Sequence, residues 1–283
     1  MQAAWPWQTG VLDPQGPIGA AEREILLDST SIMLLVIVPV IILTLVFAWW
    51  FRASNTKATY LPDWEFSGRI EVVVWSIPTL IVAFLGGMAW IASHDLDPSA
   101  PIQSDVPPVH VQVVSLDWKW LFIYPDQHVA SVNRLVVPAG APIELRLTSG
   151  TVMNSFFVPQ LGSMIYTMSG GMATRLHLLA DRPGAYPGLS AQFSGDGFSD
   201  MRFDAVAVDK SGFDDWVAKT RSDGGKLDAE SYAKLALPSS AVPPSTYGDV
   251  APGLFETIAI ADPTGPATAD AGAKICVAPR ARN

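Results

Sequence analysis

Two long segments without a charged side chain constrain this chain most. The first covers residues 29–51 and the second covers residues 72–93. At ~1.5 Å rise per residue, a helix of either length spans roughly 33 Å, enough to cross the ~30 Å hydrocarbon core of a bilayer. Tryptophans stand near the ends of both segments, where interfacial belts form. The sequence therefore predicts a transmembrane hairpin.

Basic residues near the ends of these segments predict the orientation of the hairpin. The connecting residues 52–71 carry Arg52, Lys57 and Arg69, whereas residues 94–118 carry no Lys or Arg. Lys and Arg are enriched in cytoplasmic loops, so the short connection is expected in the cytoplasm. The prediction is a two-pass membrane protein with residues 1–28 and the C-terminus both outside the cytoplasm, which in a bacterial inner membrane is the periplasmic side.

Composition excludes several classes of function. The net charge of −9 gives no support to nucleic-acid binding, which favours basic surfaces. The single cysteine, Cys276, rules out a disulfide framework and a cysteine-rich metal site. None of the four histidines lies within four residues of another or of the cysteine, so none has local metal-ligand spacing. No G-x-S-x-G elbow surrounds Ser190 or Ser194, which argues against a serine nucleophile.

Beyond a proline-rich linker at residues 94–108, the pattern changes to short β-rich runs separated by turns. Ile143, Leu145 and Leu147 alternate with polar residues, the period of two that a half-buried strand gives. Several short strands at such spacing predict a Greek-key sandwich over residues 109–210.

The last part of the chain has a different pattern. Ser211-x-x-Asp214 is a capping pattern and predicts a helical extension over residues 211–237. Residues 238–283 are rich in Pro, Ala, Ser and Thr, a composition that predicts an irregular tail.

The run Y-P-G-L-S-A-Q-F-S-G-D-G-F-S-D-M, from Tyr186 to Met201, resembles the copper loop of subunit II of the haem-copper respiratory oxidases. In the copper-bearing members that loop reads Cys-x-Glu-x-Cys-x-x-x-His-x-x-Met, and a further His lies on an upstream strand. The matching positions here are Ser190, Gln192, Ser194, Phe198 and Met201, with Asn154 at the upstream one. Serine hydroxyls do not replace bridging thiolates, so we expect no copper in this loop. Loss of the ligands with retention of the loop is typical of the quinol oxidase branch of the family.

Two further runs carry the resemblance. The run S-L-D-W-K-W-L-F-I-Y-P at 115–125 resembles the family's aromatic strand, where an exposed Trp marks electron entry in copper-bearing members. Trp118 takes that place, with Trp120 beside it, and without copper behind them we favour a core and interface cluster. The run V-M-N-S-F-F-V-P-Q-L-G at 152–162 also matches, and Asn154 is expected to make hydrogen bonds that fill the emptied pocket.

Glu71 opens a fourth matching run, E-V-V-V-W-S-I-P at 71–78, which resembles the start of the family's second helix. From the residues alone, Glu71 is a favourable charge at a helix N-terminus. The resemblance implies a second role, because the family's Glu at this place lies at the mouth of a proton-uptake route into subunit I.

The resemblance covers roughly residues 10–236. It implies an α+β membrane protein: a helical hairpin, a cupredoxin-like Greek-key sandwich and a short helical extension. The implied function is that of the non-catalytic subunit II of a cytochrome o-type ubiquinol oxidase, a complex that oxidises ubiquinol, reduces dioxygen to water and moves protons outward. This chain is expected to bind no cofactor. The haems and copper are expected in subunit I, and the bilayer, subunit III and a small subunit IV as further partners.

Two alternatives stay open. One is a cytochrome c oxidase subunit II with a copper centre. The other is a stand-alone, membrane-anchored periplasmic scaffold protein.

Overall fold

The computed structural model describes residues 10–59 and 61–261 and begins with two long helices. Helix α1 is Pro17–Trp50 and helix α2 is Gly68–Asp95. Both are long and apolar enough to cross a membrane, and their most apolar windows are not buried by the rest of the chain. Apolar surfaces of this extent need lipid or another protein around them. The two helices anchor the chain in a membrane.

Helix α1 begins well before the uncharged segment that starts at residue 29. Its first turns carry Glu22, Arg23 and Glu24, and the Ser163 hydroxyl donates a hydrogen bond to Glu22. Part of the segment predicted as a periplasmic N-terminal region is therefore helical and lies against the β domain. Because these turns carry charged residues, a search for uncharged segments does not find them. The charges do not interrupt the helix.

The β region forms two sheets packed face to face, which confirms the predicted sandwich. The larger sheet has the strand order β11-β12-β3-β2-β1-β5-β8, and the smaller has the order β4-β10-β9-β6-β7. The strands are β1 (Val109–Leu116), β2 (Lys119–Tyr124), β3 (Val129–Val132), β4 (Arg134–Pro138), β5 (Pro142–Ser149), β6 (Asn154–Phe157), β7 (Ile165–Thr167), β8 (Thr174–Leu179), β9 (Gly184–Ser190), β10 (Arg202–Val208), β11 (Gly225–Leu227) and β12 (Ser245–Val250).

Aromatic rings fill the space between the two sheets. Trp120 on β2 meets Phe156 on β6 and Phe203 on β10 edge to face, at centroid distances of 5.4 and 5.7 Å. Phe156 and Phe203 stack on each other at 4.9 Å. Aromatic pairs in these geometries add to the stabilisation that burial of their surface supplies. The smaller sheet is thereby held at a fixed position on the larger one.

The outer face of the larger sheet is covered by the C-terminal part of the chain. Leu116, Leu121 and Ile123 point to this face and form a second buried cluster with residues of the extension, among them Leu254 and Phe255. Because β2 is covered on both faces, all six of its residues are buried. A continuous apolar run such as W-L-F-I-Y is what a strand of this kind requires.

The extension is helical, as predicted, but its first helix has a different cap. Helix α3 (Lys210–Asp223) is capped by Asp209, whose carboxylate accepts a 2.7 Å hydrogen bond from the Gly212 main-chain N–H, rather than by Ser211. Helix α4 follows at Ala229–Leu235.

The prediction of an irregular tail from residue 238 is wrong for residues 245–260, which form β12 and helix α5 (Leu254–Ile260). The larger sheet therefore extends past residue 210. Strand β12 pairs with β3, and α5 buries four residues. Packing therefore stabilises a strand and a helix where composition alone predicts no regular structure. The rest of the predicted tail, residues 262–283 with Cys276, lies outside the described residues.

Candidate functional site

The loop that resembles a copper loop joins β9 to β10. Its base is closed by the Ser190 main-chain N–H, which donates a 3.1 Å hydrogen bond to the Met201 carbonyl. Gly195 adopts a φ of 102°, a conformation that favours glycine, and a short 3₁₀ turn covers Phe198–Asp200. These local features give the loop a defined shape without a metal ion.

Two of the positions that match copper ligands by resemblance hydrogen-bond to each other at the base of this loop. The Ser190 hydroxyl lies 3.2 Å from Asn154 Oδ1 and 3.3 Å from the main-chain carbonyl of Gln192. Asn154 Nδ2 donates a 3.1 Å bond to the Val152 carbonyl. Asn154 and Ser190 are both buried. Buried polar groups need such partners, and here the protein itself supplies them.

Trp118 covers the same loop from outside. Its backbone has a φ of 63°, and its indole Nε1 donates a 3.0 Å hydrogen bond to the Ser194 carbonyl. The indole ring fits against Gly197 so closely that a Cβ at that glycine would lie 2.4 Å from the ring. Trp120, by contrast, points into the core and is fully buried. The two tryptophans of the aromatic strand therefore have separate structural tasks.

The remaining positions of the loop offer no soft metal ligand apart from one thioether. Met201 is buried in the core cluster, and Phe198 packs edge to face on Phe193 at 5.7 Å. Ser194 Oγ is buried and has no hydrogen-bond partner within residues 10–59 and 61–261. A copper pair needs bridging thiolates and imidazoles, and serine, asparagine and phenylalanine supply neither. The residues present do not fit that metal centre.

No group of three or more His, Cys, Asp or Glu side chains in the described part of the chain is arranged to hold a metal ion. Of the four histidines, His110 has the most charged side chains close to its ring. Its Nδ1 lies 2.8 Å from Asp126 Oδ2 and its Nε2 lies 3.6 Å from Glu144 Oε2, at the exposed start of β1. This cluster is an exposed polar network on the surface of the larger sheet.

Glu71 lies in the first turn of α2, at the opposite end of the membrane segment from the sandwich. Trp75 Nε1 donates a 3.1 Å hydrogen bond to Glu71 Oε2. Both side chains line an open groove of about 540 Å³, together with Val72, Ser76, Thr79 and Leu80. The sequence placed Glu71 at this helix end, but it did not associate the carboxylate with Trp75.

The hairpin is tied to the sandwich through the V-P-Q-L-G segment, a contact that the sequence did not predict. The Gln15 N–H donates a 2.7 Å hydrogen bond to the Gln160 carbonyl, and the Gly19 N–H donates one of 3.3 Å to the Leu161 carbonyl. A Cβ at Gly16 would lie 2.1 Å from the Leu179 carbonyl oxygen, so this approach requires glycine. Gly16 and Gly19, at the start of the first helix, are the sequence signal that could have indicated this contact.

A second tie joins the outer end of α2 to the sandwich. The His177 main-chain N–H on β8 donates a 3.0 Å hydrogen bond to the Pro98 carbonyl in the linker after α2. Together with the contacts of residues 15–19, this fixes both membrane helices to the same side of the β domain. The sandwich is therefore held on the hairpin at two points rather than by a free linker.

Lys119 ties the C-terminal extension to the aromatic strand. Its ammonium donates hydrogen bonds to the Leu237 carbonyl (2.7 Å) and to the Ser239 hydroxyl. The residue is fully buried, and this burial lowers the pKa of Lys119 below its usual value. A buried ammonium needs such acceptors. Lys119 therefore attaches the segment after α4 to the turn that carries Trp118.

The comparisons with known families agree with this architecture. Residues 125–208 match the family described as "Cytochrome C oxidase subunit II, periplasmic domain", and residues 221–259 match the "COX Aromatic Rich Motif". The second match covers α4, β12 and α5. The extension is thus a recurrent part of such proteins.

Two curated relatives and one solved structure give the degree of similarity. The chain is 51% identical over 245 residues to the cytochrome bo(3) ubiquinol oxidase subunit 2 of Pseudomonas aeruginosa, covering 87% of this chain and 74% of the relative. It is 50% identical over 250 residues to the ubiquinol oxidase subunit 2 of Acetobacter aceti, covering 88% and 81%. The solved periplasmic domain of cytochrome oxidase subunit II from Bradyrhizobium japonicum is 21% identical, with a TM-score of 0.39, over 42% of this chain and 96% of that one.

The two curated relatives, and not the distant structure, decide the assignment. With half of all aligned residues identical over most of both chains, this protein belongs to the ubiquinol oxidase subunit 2 family, whose members are subunits of ubiquinol oxidase complexes.

Proposed function

We propose that this chain is the non-catalytic subunit II of a proton-pumping ubiquinol oxidase in a bacterial inner membrane. The complex oxidises ubiquinol and reduces dioxygen to water. The observation that carries the proposal is the closed loop, in which Asn154 and Ser190 bond to each other where metal ligands would stand. A quinol delivers electrons within the membrane, whereas cytochrome c docks outside it. A quinol oxidase therefore has no need of an outer copper relay.

The haems and copper of the complex belong in this proposal to subunit I, and this chain holds no redox centre. The chain stabilises subunit I and covers its periplasmic face with the sandwich, which the two ties described above hold on the hairpin. Subunit III and a small subunit IV complete the complex. The basic residues Arg52, Lys57 and Arg69 support a cytoplasmic position for the connecting loop, and so periplasmic positions for both termini.

Glu71 contributes a proton-entry carboxylate at the cytoplasmic side. An acid at a membrane boundary collects protons from the cytoplasm and passes them to buried water and polar groups. The position of Glu71 in the first turn of α2, facing an open groove rather than the chain's own core, supports this role. Glu71 binds no quinol in this proposal.

Two other functions are weaker. A subunit II with a copper centre requires thiolates that this loop lacks. The apolar hairpin fits a membrane-anchored scaffold as well, but membership of the ubiquinol oxidase subunit 2 family speaks against a stand-alone scaffold.

The test is purification of the complex from its native membrane through an affinity tag on this chain. We expect the haem spectrum to co-purify, and oxygen consumption to follow addition of ubiquinol but not of reduced cytochrome c. A colourless chain without haem would favour the scaffold. Oxygen consumption driven by cytochrome c would contradict the quinol oxidase assignment.

A further inference from the structure

The hydrogen bond between Trp75 and Glu71 joins a donor and an acceptor one helical turn apart. Trp75 Nε1 lies 3.1 Å from Glu71 Oε2, and the residues are spaced i, i+4 on the same face of α2. Glu71 itself is anchored in the helix, because its main-chain N–H donates a 3.0 Å bond to the Ser67 carbonyl. The helix thereby fixes both ends of the contact.

The chemistry of the donor suits a carboxyl group that gains and loses a proton. An indole N–H donates but does not accept, and it does not ionise. It bonds to a carboxylate oxygen, and it also bonds to the carbonyl oxygen of the protonated acid. A Lys or Arg at the same place would hold Glu71 in its charged form. Trp75 orients the carboxyl group in both protonation states and does not compete for the proton.

The geometry also determines which part of the carboxyl group stays available. The bond occupies Oε2, whereas Oε1 has no hydrogen-bond partner among the described residues. Glu71 lines the same open groove as Ser76 and Thr79, further along the helix. The Thr79 hydroxyl donates a 2.7 Å bond to the Trp75 carbonyl. Glu71, Trp75 and Thr79 repeat every four residues, so they share one side of α2.

We propose that Trp75 is a positioning residue for proton uptake, which holds the Glu71 carboxyl group with Oε1 turned to the partner subunit. This inference rests on the proposed function of Glu71. The other explanation of Trp75 is an interfacial anchor, a common task of tryptophan at membrane boundaries. The two explanations differ in whether the effect of Trp75 depends on Glu71.

The chain offers a matched control in Trp90. Trp75 and Trp90 are both 70% exposed, and they lie toward opposite ends of the same helix. Trp90 packs on His94 with a centroid distance of 4.6 Å. Replacing each tryptophan with Phe keeps an aromatic ring at the boundary and removes the N–H together with the same amount of ring surface, so Trp90→Phe controls for the loss of surface.

The experiment is a double-mutant cycle on the purified complex, with turnover normalised to haem. Trp75→Phe is expected to lower turnover about fivefold, with the KM for ubiquinol unchanged, since one hydrogen bond that orients the acid is lost. Trp90→Phe is expected to leave turnover unchanged. Glu71→Ala and the double variant Glu71→Ala/Trp75→Phe are expected to have equal rates, because Trp75 has nothing to position once the carboxyl group is gone.

The outcomes separate the two proposals. Full turnover in Glu71→Ala overturns the proposed role of Glu71. If Glu71→Ala is slow but Trp75→Phe has normal turnover, only the positioning role of Trp75 is overturned. The same holds if the double variant turns over more slowly than Glu71→Ala. If Trp75→Phe does not assemble, Trp75→Leu keeps an apolar side chain without a hydrogen-bond donor and serves the same cycle with the same expected pattern.

Discussion

Two regions at opposite ends of the helical hairpin use their polar groups in opposite ways. Where the loop between β9 and β10 meets β6, the Asn154 and Ser190 side chains are buried and bond to each other, and the Trp118 indole packs on the loop at Gly197. In the first turns of α2, Glu71 and Trp75 bond to each other but line an open groove. The first arrangement is complete without a partner, and the second leaves a carboxyl oxygen facing outward.

This difference indicates what each region does. A site that has lost its ligand must satisfy its buried polar groups internally, because unpaired buried groups cost free energy. A site that still works with a partner keeps polar atoms available to it. We therefore expect changes in the loop to lower stability but not turnover per assembled complex. Changes at Glu71 should lower turnover but not stability.

The largest effect is expected for Trp120→Ala, in the core behind the loop. The substitution removes a fully buried ring that meets both Phe156 and Phe203, and it should lower the free energy of unfolding by about 3–5 kcal/mol. Thermal unfolding of the purified complex measures this loss. Phe193→Ala, at a side chain that is 73% exposed, is the control and should change little. An intact unfolding temperature in Trp120→Ala would mean that this core does not hold the sheets together.

The second effect concerns Glu71→Ala, for which we expect turnover to fall about tenfold while assembly and the haem spectrum stay intact. The nearby acids Asp63 and Glu65 limit the loss, since they can supply protons at the same boundary. Glu71→Asp should recover part of the rate, because it restores a carboxyl group. Oxygen consumption per haem measures both variants. If Glu71→Ala lowered the unfolding temperature but left the rate unchanged, Glu71 would have the structural role that we assign to the loop.

A smaller effect is expected for Asn154→Ala. The substitution removes two hydrogen bonds, one to the Val152 carbonyl and one from the Ser190 hydroxyl, so the free energy of unfolding should fall by about 1–3 kcal/mol. The loss is limited because the Val152 carbonyl still accepts from the Ser149 hydroxyl. Gln192→Ala is the matched control, since Gln192 bonds to Ser190 through its main-chain carbonyl, which the substitution keeps. Thermal unfolding should separate the two variants. Slower turnover per haem in Asn154→Ala would show that the loop still has a part in the reaction.

The smallest effect is expected for Trp118→Phe. The ring against Gly197 is largely kept, and only the hydrogen bond to the Ser194 carbonyl is lost. The free energy of unfolding should fall by about 1 kcal/mol, without a change in turnover. If electron transfer into the complex is slower in this variant, Trp118 has the electron-entry role that its counterpart has in copper-bearing relatives.

The sequence predicted the hairpin and the sandwich because each follows from a local pattern. Uncharged segments of sufficient length indicate helices that cross a membrane, and the alternation of Ile143, Leu145 and Leu147 indicates the strand that became β5. The start of α1 was missed because its first turns carry charges. The last strand and helix were missed because their stability comes from packing on the outer face of the larger sheet, where Phe255 is buried.

The site was predictable only in its residue types. The run from Ser190 to Met201 identifies the loop and its missing ligands, since thiolate chemistry requires cysteine. The hydrogen bond from Ser190 to Asn154 depends on how β9 and β6 pair in space, which no local spacing specifies. The contact between Glu71 and Trp75 has the i, i+4 spacing of helix neighbours, so this signal was present in the sequence before the structure.

Copper binding by the full-length chain in detergent tests the central claim, that the loop is closed without metal. The positive control is a variant with every lost ligand restored at once, carrying the substitutions Asn154→His, Ser190→Cys, Gln192→Glu, Ser194→Cys and Phe198→His. After incubation with excess copper and removal of loose ions, the control should retain copper with visible thiolate-to-copper absorption. The unmodified chain should show no such absorption and retain no stoichiometric copper. A tightly bound copper pair in the unmodified chain would contradict the account.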